Sequence, residues 1–429
     1  MKKILMLLFS LFVSLGASAA TLINDTEIEA VLAELVTPLA DASDIPHGRL
    51  KIYIVNEDSF NAFVRGGEEV FIYTGLLTQI KSPGALQAVV AHELGHTLGG
   101  HMVQMSSRMS AEMTRSMIIQ ALGVGLMVAG GNPALGAGVL AGAGGIAQQS
   151  MLAFTRDEER IADNLGLDLM IKAGLDPQGF VEVFEQMHDM MNATESKINP
   201  SRVNHPLTAE RLKNVKECLG KTEYKKPSAA VTEKRNTDYS FVRAKLTGYL
   251  AGASQVKNLY PFTDKSSPAI YARAIANMRA GNLSGAKTGV LTLISRNAKN
   301  PYFYELLGDI EYQYGHYDDS VTAYEKSLSL SGNAPQIQTA LALVLSERKK
   351  PGDAARAIEL CKHSLLLSAA PLTYWVLARV ETDGKADWAM AEYYNMINKK
   401  SEAKKYAKRA QSALPKDSPE YIKAGDLLR

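Results

Sequence analysis

Very little in this 429-residue sequence is present in excess, and the shortages are informative. Only two cysteines occur, Cys218 and Cys361. Two residues so far apart make no disulfide framework, so the chain's compartment is not legible from them, and whether they pair is open. Charge of neither sign dominates. The 47 basic and 45 acidic residues leave a net charge of +2, which gives no general electrostatic case for nucleic acid, and no such partner is expected. Compositional bias toward disorder is also missing, and the length suits two or three domains with buried cores.

Hydrophobic runs long enough to cross a bilayer are scarce as well. The run from Ile4 to Leu15 is shorter than the roughly 20 residues that a span needs. It follows Lys2 and Lys3 and precedes Ala17-Ser18-Ala19, which are the three parts of a secretory signal. Residues 1–20 are therefore expected to be removed on export, with a retained anchor as the alternative. Residues 117–147 are almost uncharged and rich in Gly and Ala, with Asn132-Pro133 near the middle. Each half is too short to span, so a helical hairpin is expected there, either packed within the protein or touching a membrane.

What is present is pattern. Thr26 to Ala40 has the spacing of an amphipathic helix, Arg49 to Val55 alternates as a strand, and Val70 to Thr74 forms a second strand after the turn signal Arg65-Gly66-Gly67. Ser82 is placed to cap a helix that starts at Pro83 and buries Leu86, Val89, Val90 and Leu94. Further helices are expected from Arg156 to about Ala173 and from Pro177 to Met191. The polar stretch from Lys221 to Asp238 suggests a linker over 221–240. Beyond it Gly281 and Gly315 recur 34 residues apart between helical stretches, with Ala286 and Ser320, and Val290 and Tyr324, in the same phase. That period is the mark of tetratricopeptide repeats, three to four units of them, and stacked repeats offer a concave surface for docking another protein.

The chemistry sits in the helix that starts at Pro83. Residues 91–101 read AHELGHTLGGH, in which His92 and His96 present two imidazoles on one helical face. This is the H-E-x-x-H arrangement that holds a zinc ion, and Glu93 is placed to take a proton from water. A third protein ligand is needed. On a continuous helix His101 points roughly 140° away from His96, so it does not reach the same metal without a break. The best local candidate lies in FTRDEERIADNLG, residues 154–166, where Glu159 and Asp163 are four apart. Glu159 would give the metal an oxygen, and Asp163 would accept the spare N–H of one imidazole. The alternative is a solvated acidic face shared with Asp157 and Glu158.

Together NAFVRGGEEVFIYTGLL (61–77), AHELGH (91–96), RDEERIAD (156–163) and NHPLTAERL (204–212) resemble the zinc metallopeptidase family that includes the CAAX prenyl endopeptidases and the bacterial membrane protease HtpX. The resemblance spans most of residues 26–218. It implies one zinc ion per chain with His92, His96 and Glu159 as ligands, Glu93 as general base, Asp163 supporting a ligand from behind, and His101 outside the ligand set. The fold it implies is mainly α with a small β-sheet: an α+β zincin metallopeptidase domain at 21–220, then the linker, then an all-α tetratricopeptide-repeat solenoid at 241–429.

For a chain with an export signal and a repeat tail, the resemblance further implies a periplasmic endopeptidase. Its substrates would be unfolded or misfolded outer-membrane proteins, and it would assist β-barrel assembly, its repeats docking substrate or the barrel-assembly machinery. The competing reading is a latent or inactive protease that acts as a chaperone-like adaptor. His205 falls near the metal by the same resemblance and joins Glu93 in the candidate catalytic set. Three roles for it are open: steadying an oxyanion, occupying the metal's open position, or tying down its loop together with Arg211. An extended substrate would add to the strand 70–74 or to the segment 61–65.

Overall fold

The computed structural model describes residues 21–43, 45–46, 48–101, 155–193, 205, 209–332 and 334–429, the side chains of 191–193 excepted. The signal expected at 1–20 and the hairpin expected at 117–147 lie outside the described residues. No helix among the described residues is long and apolar enough to cross a membrane. The described residues begin with β1 (Thr21–Ile23) and α1 (Thr26–Ala42), and the chain divides into two compact units. One unit gathers the chain up to Val31 with Ser240–Arg429, and the other is Leu32–Tyr239.

In the second unit, β2 (Lys51–Asn56), β3 (Ala62–Arg65) and β4 (Glu69–Tyr73) lie side by side in the order β2-β4-β3. The hairpin is β3–β4, antiparallel with Ala62 opposite Ile72, closed through Gly66 and Gly67 at φ of 60° and 80°. β2 instead pairs with β4 in parallel, Ile52 opposite Val70. The strands Arg49–Val55 and Val70–Thr74 expected from sequence are thus present, with β3 between them in sequence and at the edge in space. Ala62 and Val64 on β3 and Val70 and Ile72 on β4 are buried in the alternation that a half-covered sheet requires, and β2 buries the consecutive Ile54 and Val55.

After the short α2 (Thr74–Gln79), the central element is α3 (Pro83–Leu98). Ser82 caps it by accepting a hydrogen bond from the Ala85 N–H at 3.1 Å, with Pro83 in the first turn, as the sequence suggested. Most of α3 is buried, including Gln87, whose amide reaches the Leu35 carbonyl at 2.8 Å. It is flanked by α4 (Arg156–Lys172) and α5 (Gly179–Ala193), followed by α6 (Ala209–Lys221). Thr155 and Glu158 form a capping box that fixes the first turn of α4: the Thr155 N–H donates to Glu158 at 2.8 Å, and the Glu158 N–H returns to the Thr155 hydroxyl at 3.2 Å.

Residues 221–240, expected as a linker, are free of helix only between Lys221 and Ala229, because α7 runs Ala229–Leu250. Its first turns are polar because they are solvated, and a polar helix face and a polar linker have the same composition. Tyr239, fully buried, ends this unit with its hydroxyl on the Leu77 carbonyl at 2.9 Å.

The other unit is a succession of short-connected helices from Ser267–Arg279 to Pro419–Asp426, a repeat solenoid of paired helices. Gly281 and Gly315 both turn the chain at positive φ, 78° and 79°. In the clearest repeat, Pro301–Tyr314 packs on Tyr317–Ser331, Gly308 makes room for the Tyr324 ring, and Ser320 donates to the Gly308 carbonyl at 2.8 Å. Cys218 and Cys361, one in each unit, are free thiols.

The N-terminal residues join this unit through a buried ionic cluster. Lys245 on α7 lies 2.8 Å from Asp25, 3.2 Å from Glu27 and 3.3 Å from Glu305, and the Tyr271 hydroxyl donates to Glu27 at 2.8 Å. Lys245 is therefore held protonated, its pKa driven up by the surrounding carboxylates against the cost of burial. Burial raises Glu29 to about 7 and Asp309 to about 6. Replacing Lys245 by Met strands three carboxylates and is expected to cost this unit about 3–5 kcal/mol in urea unfolding. A raised carboxyl pKa means that the folded state binds the proton more tightly than the unfolded chain, so stability falls as pH rises from the unfolded value of 4.5 through about 7. Urea midpoints should be higher at pH 5.5 than at pH 8, and Glu29→Gln should reduce the difference; equal midpoints in the wild type would contradict this.

Candidate metal centre

Two helical turns build this site, one from each of α3 and α4. His92 and His96 are one turn apart on α3, and Glu159 and Asp163 are one turn apart on α4, so each pair projects from one face of its helix. The two backbones approach closely between them. A Cβ on Gly95 would sit 2.4 Å from the Ala162 carbonyl oxygen, and one on Gly166 would sit 3.0 Å from the Ala91 carbonyl. Only glycine permits this approach, and it brings the four side chains within reach of each other.

His92 Nε2 lies 3.1 Å from His96 Nε2 and 3.4 Å from Glu159 Oε2, and His96 Nε2 lies 3.5 Å from Glu159 Oε1. Nitrogen and oxygen ligands held about 2.0–2.1 Å from a tetrahedral zinc ion stand roughly 3.3–3.4 Å from one another. The three side chains therefore fit such an ion. His205 lies at the same point: its Nδ1 is 2.8 Å from Glu159 Oε1 and 3.3 Å from His92 Nε2. One ligand atom from each of His92, His96, Glu159 and His205 falls within a span of 4.8 Å.

The atoms facing away are also engaged. His92 Nδ1 lies 2.8 Å from Asp163 Oδ1. His96 Nδ1 meets His101 Nδ1 at 3.0 Å. His101 reaches it because α3 stops at Leu98 and Gly100 reverses the chain at a φ of 69°. The break that a continuous helix lacks is thus supplied, and it delivers a buried, hydrogen-bonded histidine to the outer nitrogen of His96. Arg211 on α6 grips Asp163 with two hydrogen bonds of 2.8 Å and lies 2.6 Å from Glu159 Oε2, with Phe184 stacked 5.0 Å from its guanidinium. The sequence offered Arg211 only as a loop tie. Its reach to Glu159 and Asp163 had no local signal, because it comes from a helix some fifty residues on.

Electrostatics follow from these contacts. Burial opposes a charged His92, but hydrogen bonds to Asp163 and Glu159 outweigh it and raise its pKa to about 9. Burial lowers His96 to about 4. Glu159 resists the upward push of burial because His205, His92 and His96 hold its carboxylate far below the ordinary range. Asp163 is likewise held down against burial, chiefly by Arg211 and then by His92. Glu93 differs from both: burial raises its pKa, with His205 and His92 opposing. A carboxylate that must accept a proton is made more basic by such an environment. His205 Nε2 stands 3.4 Å from Glu93 Oε1.

Comparison with known proteins agrees with this geometry. Residues 24–219 match the model of peptidase family M48. Along 351 residues the chain is 23% identical to the beta-barrel assembly-enhancing protease of Yersinia pestis, covering 80% of this chain and 70% of that protein. The protein of the same name from Escherichia coli (strain K12) is 24% identical over 349 residues, covering 79% of this chain and 69% of that protein. The mitochondrial metalloendopeptidase OMA1 of Schizosaccharomyces pombe is 26% identical over 181 residues, covering 42% of this chain and 49% of that protein.

If Asp163 orients His92 for a metal, Asp163→Ala should weaken divalent-metal affinity by about 10–100-fold, as loss of such a supporting carboxylate commonly does. Competition with a chromogenic chelator measures this, and unchanged affinity would reduce Asp163 to a partner of Arg211.

Proposed function

We propose that this metallopeptidase is a periplasmic zinc endopeptidase, with one zinc ion per chain held by His92, His96 and Glu159. It would cut misfolded or stalled outer-membrane proteins and assist their assembly into barrels, with its repeat unit docking substrate or the assembly machinery. The observation that carries the catalytic part is the set of 3.1, 3.4 and 3.5 Å separations among the three ligand side chains, beside a buried Glu93. The outer-membrane part rests on the likeness to the beta-barrel assembly-enhancing proteases of Yersinia pestis and Escherichia coli. Export rests on the Lys2-Lys3, Ile4–Leu15 and Ala17-Ser18-Ala19 pattern.

A zinc ion in this site supplies Lewis acidity toward a peptide carbonyl and makes a nearby water easier to deprotonate. The protein does the rest. Glu93 takes the water's proton as the carbonyl is attacked, then hands it to the departing amine. Asp163 and His101 accept the outer N–H of His92 and His96, so each imidazole presents Nε2 inward. His205, beside Glu93, is placed to steady the oxyanion.

A second reading has its own support: His205 Nδ1 lies where a fourth ligand would, 2.8 Å from Glu159 Oε1, which would make the enzyme dormant until this residue moves. Digestion of unfolded casein by the zinc-loaded protein separates these readings. Glu93→Gln with matched zinc content should lower cleavage by about 10²–10⁴-fold. His205→Ala should raise it if His205 blocks the metal and lower it if His205 serves the oxyanion. Zinc-loaded wild type and His205→Ala that both leave casein intact would sink the peptidase reading in favour of an adaptor.

Substrate would enter as an extended strand. β3 is the edge strand, whereas β4 is covered on both sides, so of the two segments considered only 61–65 has a free edge among the described residues. The Asn61 carbonyl accepts from the Tyr73 N–H at 3.1 Å, so by antiparallel alternation Ala62 and Val64 turn their N–H and C=O outward. Ala62→Pro deletes one outward N–H without touching the β4 ladder. Cleavage of an unstructured peptide should fall about 3–10-fold, the worth of one hydrogen bond, with unfolding unchanged. An unaltered kcat/KM would exclude strand addition at β3.

A further inference from the structure

Charge is not spread evenly along this chain. Residues 399–429 hold nine basic side chains and four acidic ones, a net +5, whereas the rest of the chain, with 38 basic and 41 acidic, stands at −3. The excess is concentrated on one helix of the repeat unit, Lys400–Ala413, which packs on its neighbour Asp383–Met396. Ala403, Ala407 and Ala410 form its buried side. At about 100° per residue, Lys404, Lys405, Lys408 and Arg409 share a sector of roughly 140° on the opposite side, and all four are exposed.

These cations differ in what they do for the fold. Arg409 pairs with Asp387 at 3.0 Å and lies over the Tyr406 ring at 5.2 Å. Lys405 has only Glu402 at 4.0 Å, and Lys404 and Lys408 have no ion-pair partner among the described residues. Lys400, Lys404 and Lys408 are successive helical turns apart, so they repel one another at a cost to the helix. A surface that serves solubility alone interleaves the two signs, whereas this row is balanced only by an external anion.

The composition of the row selects the kind of anion. Lysine is a compact, strongly hydrated point charge without the planar fork that pairs with a carboxylate, and interfaces between proteins are depleted in Lys and enriched in Arg. Stacking on a nucleic-acid base is not on offer either, since Tyr406, the ring beside the row, is stacked on Tyr394 at 5.3 Å and covered by Arg409. A row of separate ammonium groups does match a plane of many equivalent phosphates, where each adds its increment without a fixed pairing. The 14 residues of the helix lay the row along about 21 Å.

We infer that the outer face of Lys400–Ala413 is a docking surface for a bilayer that carries anionic phospholipids. It holds the chain to the membrane surface reversibly, by charge and without insertion.

The test is co-sedimentation of the exported chain, residues 21–429, with vesicles of equimolar phosphatidylcholine and phosphatidylglycerol. Wild type should bind them, should leave pure phosphatidylcholine vesicles alone, and should be released as salt rises from about 0.05 to 0.5 M. Changing Lys404, Lys405 and Lys408 together to Gln should weaken binding by about 10–100-fold, at about 5-fold for each lysine. The same three changed to Arg should bind as wild type does. Gln and Arg are as good helix formers as Lys, so the urea midpoints should not fall. Binding that survives the Gln changes, through residues 117–147 or otherwise, would overturn the inference, as would equal binding to neutral vesicles or loss of binding in the Arg variant. Capture by immobilised polyglutamate with the vesicles left unbound would give the face to an acidic protein and overturn the lipid. Acetylation of amines, read by mass spectrometry, locates the contact directly: the anionic vesicles should protect Lys404, Lys405 and Lys408, and unchanged acetylation there would overturn the assignment.

Discussion

The site depends on how closely α3 and α4 can approach. Gly95 lies between His92 and His96 along one helix, and Ala162 lies between Glu159 and Asp163 along the other, so the point of backbone contact is also the centre of the site. A single methyl group at Gly95 would meet a carbonyl oxygen at 2.4 Å, and relief would require the helices to separate. Overpacking of this kind costs about 1–3 kcal/mol in stability, but here the larger loss is geometric. Ligand separations of 3.1–3.5 Å match a tetrahedral ion, and a shift of even half an ångström between the helices would move Glu159 away from both imidazoles together.

That approach also concentrates charge. Glu93, Glu159 and Asp163 are buried within one cluster, and Arg211 is the guanidinium that meets Asp163 and Glu159. Burying three carboxylates is costly unless each is paired, and beside one guanidinium the balance falls to a protonated His92 and to Glu93, whose raised pKa favours its neutral form. A divalent cation is the charge that such a donor set accommodates. The cluster at Lys245 is similar in that carboxylates outnumber the cation, and there too Glu29 and Asp309 have raised pKa values and are eased by protonation. With a divalent cation bound the first cluster would release its protons, whereas the cluster at Lys245 keeps them.

Legibility in the sequence followed distance along the chain. The i, i+4 pairs were readable because a helix fixes their geometry locally, and Ser82 and Pro83 announced the helix start. The repeat period was readable for the same reason: Gly281 and Gly315 each solve a local turn problem. His101 was half legible. Its angle on an ideal helix kept it from the metal unless the helix broke, and the break at Gly100, a property of the fold, turns it onto the outer nitrogen of His96. The reach of Arg211 to Asp163 and Glu159 and the pairing of Asp25 and Glu27 with Lys245 left no trace, since contacts across some fifty and more than two hundred residues have no periodicity. The polar start of α7 misled because solvated helix and linker share a composition.

Edge strand and cleft together explain why the site would choose unfolded chains without a sequence motif. β3 would offer backbone hydrogen bonds, which an extended segment can satisfy and most folded segments have already used. The cleft beside Glu93 is lined largely by apolar side chains, which would suit the apolar side chains that a folded protein buries. Each requirement alone is weak: strand addition would accept polar linkers, and an apolar pocket would accept exposed residues on native surfaces. Demanding both within a few residues excludes most native surfaces and admits most misfolded ones, since hydrophobic strands that have failed to pair present an open backbone and bare apolar side chains at the same place. Selectivity of this kind needs no recognised sequence, only the coincidence of two features that folding removes.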